Sequence, residues 1–461
     1  MLGKTIAAIS TPYGRGGVAL IRISGEEAFS ICDKVFMPRN GEKLSSQPAR
    51  MAIYGDILSH GDIIDDGIAT IFKAPFSYTG ENTVEISCHG GILLSQSVLE
   101  AIILSGAEYA DAGEFTQRAF LNGKLSLTEA ESVINLIDAV TDEQIRLATS
   151  HRGGVLSKTA DRIYNEMLKL VSSTYAYIDY PDEDLTDISV DELKTGLQSI
   201  LSELNELESS YKTGHAVSEG IKTAIVGKPN AGKSSLLNAM LGEKRAIVTE
   251  IAGTTRDVIE ESVRLRHIVL RLSDTAGIRN TDDEVEKIGV GLAYEKMLES
   301  ELIIAVFDGS AELTSDDYDL VDYINKNCTD KKIIAVVNKS DLYQNADTKT
   351  YIEKSFSDVA VISTRESTAR DALFELIESF FIKGEIDYNN KAVIANLRQF
   401  TAVKKAREYI ENAINSLNGG FTQDVAGMDI ENAMGFIGEL DSRSVGEDVV
   451  KDIFGRFCVG K

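Results

Sequence analysis

The sequence predicts a multi-domain α/β protein: an N-terminal α+β domain, a helical domain, and a P-loop α/β domain inserted into the helical one. Three observations predict it. The hydrophobic period changes from about two to about 3.6 near Ser126. Between residues 221 and 381 apolar strands then alternate with helical segments. Within that stretch "GKPNAGKS" (Gly227 to Ser234) fits G-x-x-x-x-G-K-[ST] between a strand and a helix.

A chain of 461 residues suggests roughly three domains of about 150 residues each, and 43% hydrophobic residues suffice for proper cores. Lys+Arg 47 against Asp+Glu 72 leaves a net charge of −25, spread along the whole chain. Phosphate binding rests on Lys/Arg neutralisation, so any nucleic-acid contact has to be a local basic patch on a repelling surface. No apolar run approaches the roughly 18 residues of a membrane span, and "MLGKTIAAIS" lacks the apolar core and cleavage site of a leader. A cytoplasmic protein is expected. Cys32, Cys88, Cys328 and Cys458 form no C-x-x-C, and the five histidines are scattered, so neither a disulfide framework nor a structural zinc is expected.

Along the chain, residues 1–118 mix β-rich runs ("GGVALIRISG", "DGIATIF", "NTVEISCHGG") with glycine turns and one apolar helix near "LLSQSVLEAIILSG". Residues 119–215 are expected to be the first part of the helical domain. There "SLTEAESVINLIDAV" opens with the capping-box spacing Ser126 to Glu129, and "SVDELKTGLQSILSELNEL" repeats it with Ser189 and Glu192. In the second helix Leu193, Leu197, Ile200, Leu204 and Leu207 form one apolar stripe, which reads as packing against neighbouring helices. Residues 216–381 are the inserted domain, with strands at "TAIVG", "IVLRLSD", "ELIIAVFDG", "KIIAVVNKS" and "VAVIS" in a mainly parallel sheet. Residues 382–461 return to helical periodicity.

The inserted domain carries a set of nucleotide motifs that points to a Ras-like P-loop GTPase. In the first motif the glycines let backbone N–H groups approach phosphates, Lys233 reaches the β/γ-phosphates, and Ser234 is placed for Mg2+. "DTAG" (Asp274, Thr275, Ala276, Gly277) ends a strand, suited to holding Mg2+ through Asp274 and sensing the γ-phosphate through the Gly277 N–H. In "NKSD" (Asn338, Lys339, Asp341) the Asp341 carboxylate can accept from N1–H and the exocyclic amine of guanine, which adenine cannot offer. "ISTRES" supplies the remaining base contact at Ser363, although Ser363-Thr364-Arg365 departs from the usual Ser-Ala-Lys.

Two details bear on turnover. Ile278 follows "DTAG" where Ras-like enzymes carry a water-orienting glutamine, so the hydrolytic group has to come from elsewhere, and Glu286 in "TDDEVEK" is available. "AGTTRD" lies where the first switch belongs, making Thr255 a Mg2+ ligand. Asn230 is unusual inside a phosphate loop. Its amide oxygen either packs or holds a monovalent cation against the phosphates.

"GKPNAGKSS", "IAGTTRD", "DTAGIR" and "DEVEKIG" together resemble the TrmE–Era–EngA (Der) GTPases. "TPYGRGGVALIRISG", "SYTGENTVEISCHGG", "GEFTQRAFLNGKLSLTEAE", "YPDED" and "RFCVGK" extend the resemblance over the whole chain to the MnmE (TrmE) family of tRNA modification GTPases. The resemblance implies K+-activated hydrolysis of GTP to GDP on pairing of GTPase domains. It implies a tRNA substrate whose wobble uridine receives a carboxymethylaminomethyl or aminomethyl group at C5. It also implies a heterotetramer with an FAD- and NADH-dependent partner, MnmG (GidA). The N-terminal domain becomes a tetrahydrofolate-binding fold that forms a homodimer and holds 5-formyl- or 5,10-methylene-tetrahydrofolate through Arg22, Glu85, Lys124 and Lys461. In the GTPase domain it assigns K+ to Asn230, Thr249, Ile251 and Thr254, Mg2+ to Ser234 and Thr255, and catalysis to Glu286. Nucleotide contacts fall on Asn230, Ala231, Gly232, Lys233, Ser234 and Ser235, on Thr249, Glu250, Ile251, Ala252, Gly253, Thr254 and Thr255, and on the two later motifs. Ala112 stands where the family usually has proline.

The terminal "RFCVGK" places Cys458 fourth from the end, as in a C-a-a-X prenylation signal, but lysine is a poor last residue for that. The resemblance instead puts Cys458 near the folate and uridine site, where a thiolate could add to uridine C6 or the side chain could pack. For tRNA, "LRQFTAVKKAR" with Arg398, Lys404, Lys405 and Arg407 is the best basic segment, against the alternative of a solvated helix face. A ribosome-assembly switch is disfavoured because no basic KH-type G-x-x-G loop follows the insert. A membrane scaffold is disfavoured because no amphipathic basic segment stands out.

Overall fold

The structure is a computed structural model that describes residues 3–179, 189–245, 261–272, 294–382, 387–388, 390–441, 443 and 446–461. It divides into two compact units, Met1–Ile134 with His151–Gly196 and Asn412–Lys461, and Asn135–Ser150 with Leu197–Glu411.

The N-terminal segment is a seven-stranded sheet of β1 (Ile6–Ile9), β2 (Val18–Ser24), β3 (Phe36–Pro38), β4 (Ala52–Ser59), β5 (Asp62–Phe72), β6 (Thr83–His89) and β7 (Glu108–Tyr109), ordered β3-β4-β5-β6-β2-β1-β7. All neighbours are antiparallel except β1 and β7. Alternation along the strands sends Ala19, Ile21 and Ile23 of β2 and Val84 and Ile86 of β6 into one core. That face is covered by α1 (Ala28–Val35) and α2 (Ile92–Leu104), which contribute Ile31, Val35, Val98 and Ile102. The sequence pattern showed α2 but not α1, nor α3 (Glu114–Leu121), because eight residues give barely two turns of periodicity. Arg22, Glu85 and Thr70 lie in register across the opposite face.

The helices follow as α4 (Leu127–Ile137), α5 (Asp142–Arg152), α6 (Val155–Asp179) and α7 (Val190–Ser218). Both capping boxes form. The Ser126 N–H donates to Glu129 Oε2 at 2.6 Å while the Glu129 N–H donates to Ser126 Oγ at 3.2 Å. The Ser189 and Glu192 pair does the same at 2.9 and 3.2 Å. Leu193, Leu197, Ile200, Leu204 and Leu207 are all buried, and each contributes about 1.5–3 kcal/mol of burial.

The second sheet contains β8 (Ile221–Val226), β9 (Glu261–Arg264), β10 (Val269–Leu272), β11 (Leu302–Asp308), β12 (Lys332–Asn338) and β13 (Val359–Val361), ordered β13-β12-β11-β8-β10-β9. It is parallel apart from the antiparallel edge strand β9. Helices among its described residues include α8 (Lys233–Arg245), α9 (Ser315–Asn327), α10 (Ala346–Ser355) and α11 (Ser367–Phe381). Successive residues of β11 enter different cores. Ile304 and Val306 pack with Leu373, Phe374 and Ile377 of α11, while Ile303, Ala305 and Phe307 pack with Leu320, Val321 and Ile324 of α9 and Ile352 of α10. Burial on both faces explains why these strands read as continuous apolar runs.

The chain closes with α12 (Leu397–Asn418), α13 (Gln423–Asp441) and α14 (Glu447–Gly455). Phe454 and Phe457 pack with Leu127, Ala130 and Val133 of α4. The cysteines are free thiols, Cys32, Cys88 and Cys328 buried and Cys458 exposed. Among the described residues no helix is long and apolar enough to cross a membrane.

Candidate nucleotide site and a second site at the C-terminus

The phosphate loop joins β8 to α8. Its backbone enters the positive-φ region at Gly227 (149°), Asn230 (63°) and Gly232 (104°). A Cβ on Gly227 would sit 2.3 Å from the Val306 carbonyl oxygen, and one on Gly232 would sit 2.0 Å from Asn338 Nδ2. Neither position has room for a side chain. The loop therefore lies close against β11 and β12 and leads directly into the N-terminus of α8.

Lys233 donates from Nζ to the carbonyl oxygens of Gly227 at 2.6 Å and Lys228 at 2.9 Å. Burial pushes its pKa below the ordinary lysine value. A half-buried ammonium whose hydrogen-bond partners here are neutral carbonyls is suited to an anion. Ser234 and Ser235 are exposed at the start of α8, and so is Asn230.

The residues expected from the sequence to contact the base lie at and just beyond the ends of β12 and β13. Asn338 is buried and acts as a clamp: Nδ2 donates to Ala231 O at 3.1 Å, and Oδ1 accepts from the Thr364 N–H at 3.3 Å. Lys339, at φ 65°, donates from Nζ to Asp308 Oδ2 at 2.5 Å. Burial alone would raise the Asp308 pKa, but Lys339 and Ser310 more than offset it and hold the carboxyl below its usual range. Asp341 accepts from Ser363 Oγ on Oδ1 at 2.9 Å and from Arg365 Nη1 on Oδ2 at 3.0 Å. The Ser363 bond leads in keeping its pKa below the ordinary aspartate value. Thr364 and Arg365, the departures from Ser-Ala-Lys, thus take part in the loop through a backbone N–H and a guanidinium. Thr249, Glu250, Ile251, Ala252, Gly253, Thr254 and Thr255, together with Asp274, Thr275, Ala276, Gly277 and Glu286, lie outside the described residues.

A second cluster lies on the N-terminal sheet. Arg22 Nε and Nη2 both approach Glu85 Oε1 at 2.9 Å, and the guanidinium carbon lies 5.3 Å from the Tyr78 ring centroid and 5.6 Å from that of Phe115. Lys124 Nζ donates to the Pro75 carbonyl at 3.1 Å, within the loop that carries Tyr78. The C-terminal residues dock at the same place. Phe115 N–H donates to Lys461 O at 3.1 Å, Ser10 Oγ donates to Gly460 O at 2.9 Å, and Val459 bridges Ala112. Gly113, at φ 67°, permits this docking, since a Cβ there would lie 2.5 Å from Phe454 O. Arg22, Glu85, Lys124 and Lys461 are thus linked through one set of neighbours, with Cys458 exposed in the docked segment. Tyr78 and Phe115 were not singled out from sequence, because an aromatic in a loop or a short helix carries no local mark of stacking on an arginine.

The basic helix α12 is less cationic than its sequence. Arg407 pairs with Glu208 and Glu411, each at 2.5 Å, and Lys405 with Glu408 at 3.2 Å, while Lys404 is exposed.

Comparison with known proteins gives matches along the whole chain. Residues 5–124 match the family model described as the GTP-binding protein TrmE N-terminus, and residues 127–458 match the MnmE helical domain. A tRNA modification GTPase MnmE from Clostridioides difficile is 39% identical over 463 residues, covering 100% of both chains. One from Alkaliphilus metalliredigens is 40% identical, again over 100% of both. Among solved structures, a tyrosine-to-alanine variant of Era from Aquifex aeolicus bound to GDP.AlF4- is similar at 24% identity and a TM-score of 0.27, covering 41% of this chain and 66% of that one.

Proposed function

Because the chain belongs to the MnmE (TrmE) family of tRNA modification GTPases, we propose that it hydrolyses GTP to drive aminomethyl or carboxymethylaminomethyl transfer to C5 of a wobble uridine, with tetrahydrofolate as the one-carbon donor. In this reading residues 1–118 form the folate-binding and homodimerising domain, 216–381 the inserted GTPase, and 119–215 with 382–461 the helical domain. The FAD- and NADH-dependent MnmG (GidA) is the partner, in a heterotetramer in the cytoplasm. The observation that carries the folate half is the Arg22–Glu85 pair set between Tyr78 and Phe115 beside the docked C-terminus.

A folate offers a flat pteridine with an N–H edge and a glutamate tail. Glu85 suits the edge, because Arg22 occupies only its Oε1 and ionised carboxylates accept such N–H pairs well. Lys124 and Lys461 supply the ammonium groups that suit tail carboxylates, and Cys458 is the exposed thiol in the segment that closes the site. Calorimetric titration with 5-formyltetrahydrofolate tests this. The wild type is expected to bind saturably and Arg22→Ala about 10- to 100-fold more weakly. Equal affinity in the two proteins, both still hydrolysing GTP, would remove Arg22 from the site.

For turnover, we assign Mg2+ to Ser234 with Thr255, and K+ to Asn230 with Thr249, Ile251 and Thr254. The described members fit, since Ser234 and Asn230 present exposed neutral oxygen donors at the loop, the hard ligands such ions prefer. These cations supply charge neutralisation at the phosphates. Glu286 is assigned to water activation in the absence of a glutamine at Ile278. Glu286→Ala is expected to keep GDP affinity within about two-fold while lowering kcat by about 10²–10⁴-fold, the usual range for a lost acid–base group. Single-turnover hydrolysis in KCl and NaCl gives the companion result, faster in KCl. Unchanged kcat in the variant would exclude the glutamate.

A further inference from the structure

We propose that Lys228, the second residue of the phosphate loop, is a positioning residue for nucleotide binding. Its ammonium is locked to the buried carboxylate of Asp317 and holds the loop in its receiving shape before any phosphate arrives.

Three features of the loop lead there. Gly227, Asn230 and Gly232 all have positive φ, and Asn230 is not glycine, so the conformation is one that surrounding structure has to impose. Among the described residues, the one backbone bond that closes the turn around Asn230 is long, 3.3 Å from the Ala231 N–H to Lys228 O, and the Lys233 ammonium bridges the same turn to Gly227 O and Lys228 O. Tertiary ties take up the rest, Asn338 at Ala231 and Asp317 at Lys228.

Asp317 is an unusual anchor. It is the third residue of α9 and closes a capping box, its Oδ2 accepting from the Thr314 N–H and Oγ1, both at 2.9 Å. In the Ser126–Glu129 and Ser189–Glu192 boxes Glu129 and Glu192 are at least partly open to solvent, whereas Asp317 is 0% exposed. Its Oδ1 is buried and has no hydrogen-bond partner among the described residues. A carboxylate in such a place is costly unless a cation compensates it. Lys228 Nζ does so at 2.6 Å on Oδ2, across 89 residues of sequence.

The same residue controls the phosphate lysine from its other end. The Lys228 carbonyl accepts from Lys233 Nζ at 2.9 Å as well as from Ala231 N–H. Displacing the Lys228 backbone would therefore move the turn and the resting position of the Lys233 ammonium together. Fixing both in advance lowers the ordering cost of binding, which favours GDP and GTP equally.

The test uses the full-length protein and fluorescently labelled GDP and GTP, with Kd and dissociation rates measured for wild type, Lys228→Ala, Lys228→Arg, Asp317→Asn and the double Lys228→Ala/Asp317→Asn. Lys228→Ala is expected to raise both Kd values about ten-fold through faster dissociation, with kcat at saturating GTP within about two-fold. Lys228→Arg restores affinity, and the double variant binds no worse than the weaker single one, because the two side chains act as one unit. A Lys228→Ala protein with a lowered melting temperature but wild-type GDP dissociation would reduce the pair to a structural tie and overturn the proposal. Additive losses in the double variant, or no rescue by arginine, would do the same. Should Lys228→Ala fail to fold, Asp317→Asn, which keeps the Thr314 cap acceptor, decides alone: unchanged nucleotide Kd refutes the proposal.

Discussion

Replacing Asp341 with asparagine is expected to lower GTP affinity by about 10³-fold while creating affinity for xanthosine triphosphate, because a site built on specific base hydrogen bonds rejects a mismatched edge by several orders of magnitude. The carboxylate can accept from guanine N1–H and the 2-amino group together. An asparagine has only one acceptor and turns an N–H2 toward the second donor. Xanthine carries an oxygen where guanine has the amine, so that same N–H2 finds a partner. The structure sharpens the expectation, since Ser363 Oγ on Oδ1 at 2.9 Å and Arg365 Nη1 on Oδ2 at 3.0 Å hold the Asp341 side chain from both oxygens. Competition binding of GTP, XTP and ATP checks it. An Asp341→Asn protein that still prefers GTP would mean that another residue reads the base.

Lys233→Ala is expected to weaken GTP and GDP binding by about 10²–10³-fold, the range for truncating one partner of a desolvated charge pair. In this structure the ammonium is held by Gly227 O and Lys228 O at 2.6 and 2.9 Å, and burial lowers its pKa. The cation is thus partly desolvated and held at the loop. Removing it leaves the loop amides and the α8 N-terminus as the remaining positive potential. Thermal melting with and without 1 mM-scale GDP separates the effects: the variant keeps its unliganded melting temperature and loses most of the ligand-induced rise. An undiminished rise would show that the lysine does not carry the phosphates.

Local sequence went far because several features here are local. A capping box needs two residues three apart, so Ser126–Glu129 and Ser189–Glu192 were legible before any fold was known. Buried parallel strands announce themselves as apolar runs, so β8, β10, β11 and β12 were expected in place, and the edge strand β13 was legible because it too is apolar. The edge strand β9, "ESVR", was not, because an edge need not be apolar. Helices α1 and α3 were missed for lack of length. The phosphate loop and "NKSD" were readable because their chemistry demands particular residues at fixed spacing.

What the sequence by itself determined is the inventory of motifs: a phosphate loop and an "NKSD" within an α/β stretch flanked by helical segments, and Cys458 near the end; the folate roles of Arg22, Glu85, Lys124 and Lys461 came only as an implication of the family resemblance. Only the tertiary structure decided how these residues are used. Asn338 ties Ala231 to Thr364, Asp317 neutralises Lys228, Tyr78 and Phe115 flank Arg22, and Arg407 of the basic helix is already paired with Glu208 and Glu411. The physical reason is range. Propensity, capping and motif spacing act over a few residues, whereas an ion pair or a stacked ring depends on which distant segments the folded core brings within a few ångströms.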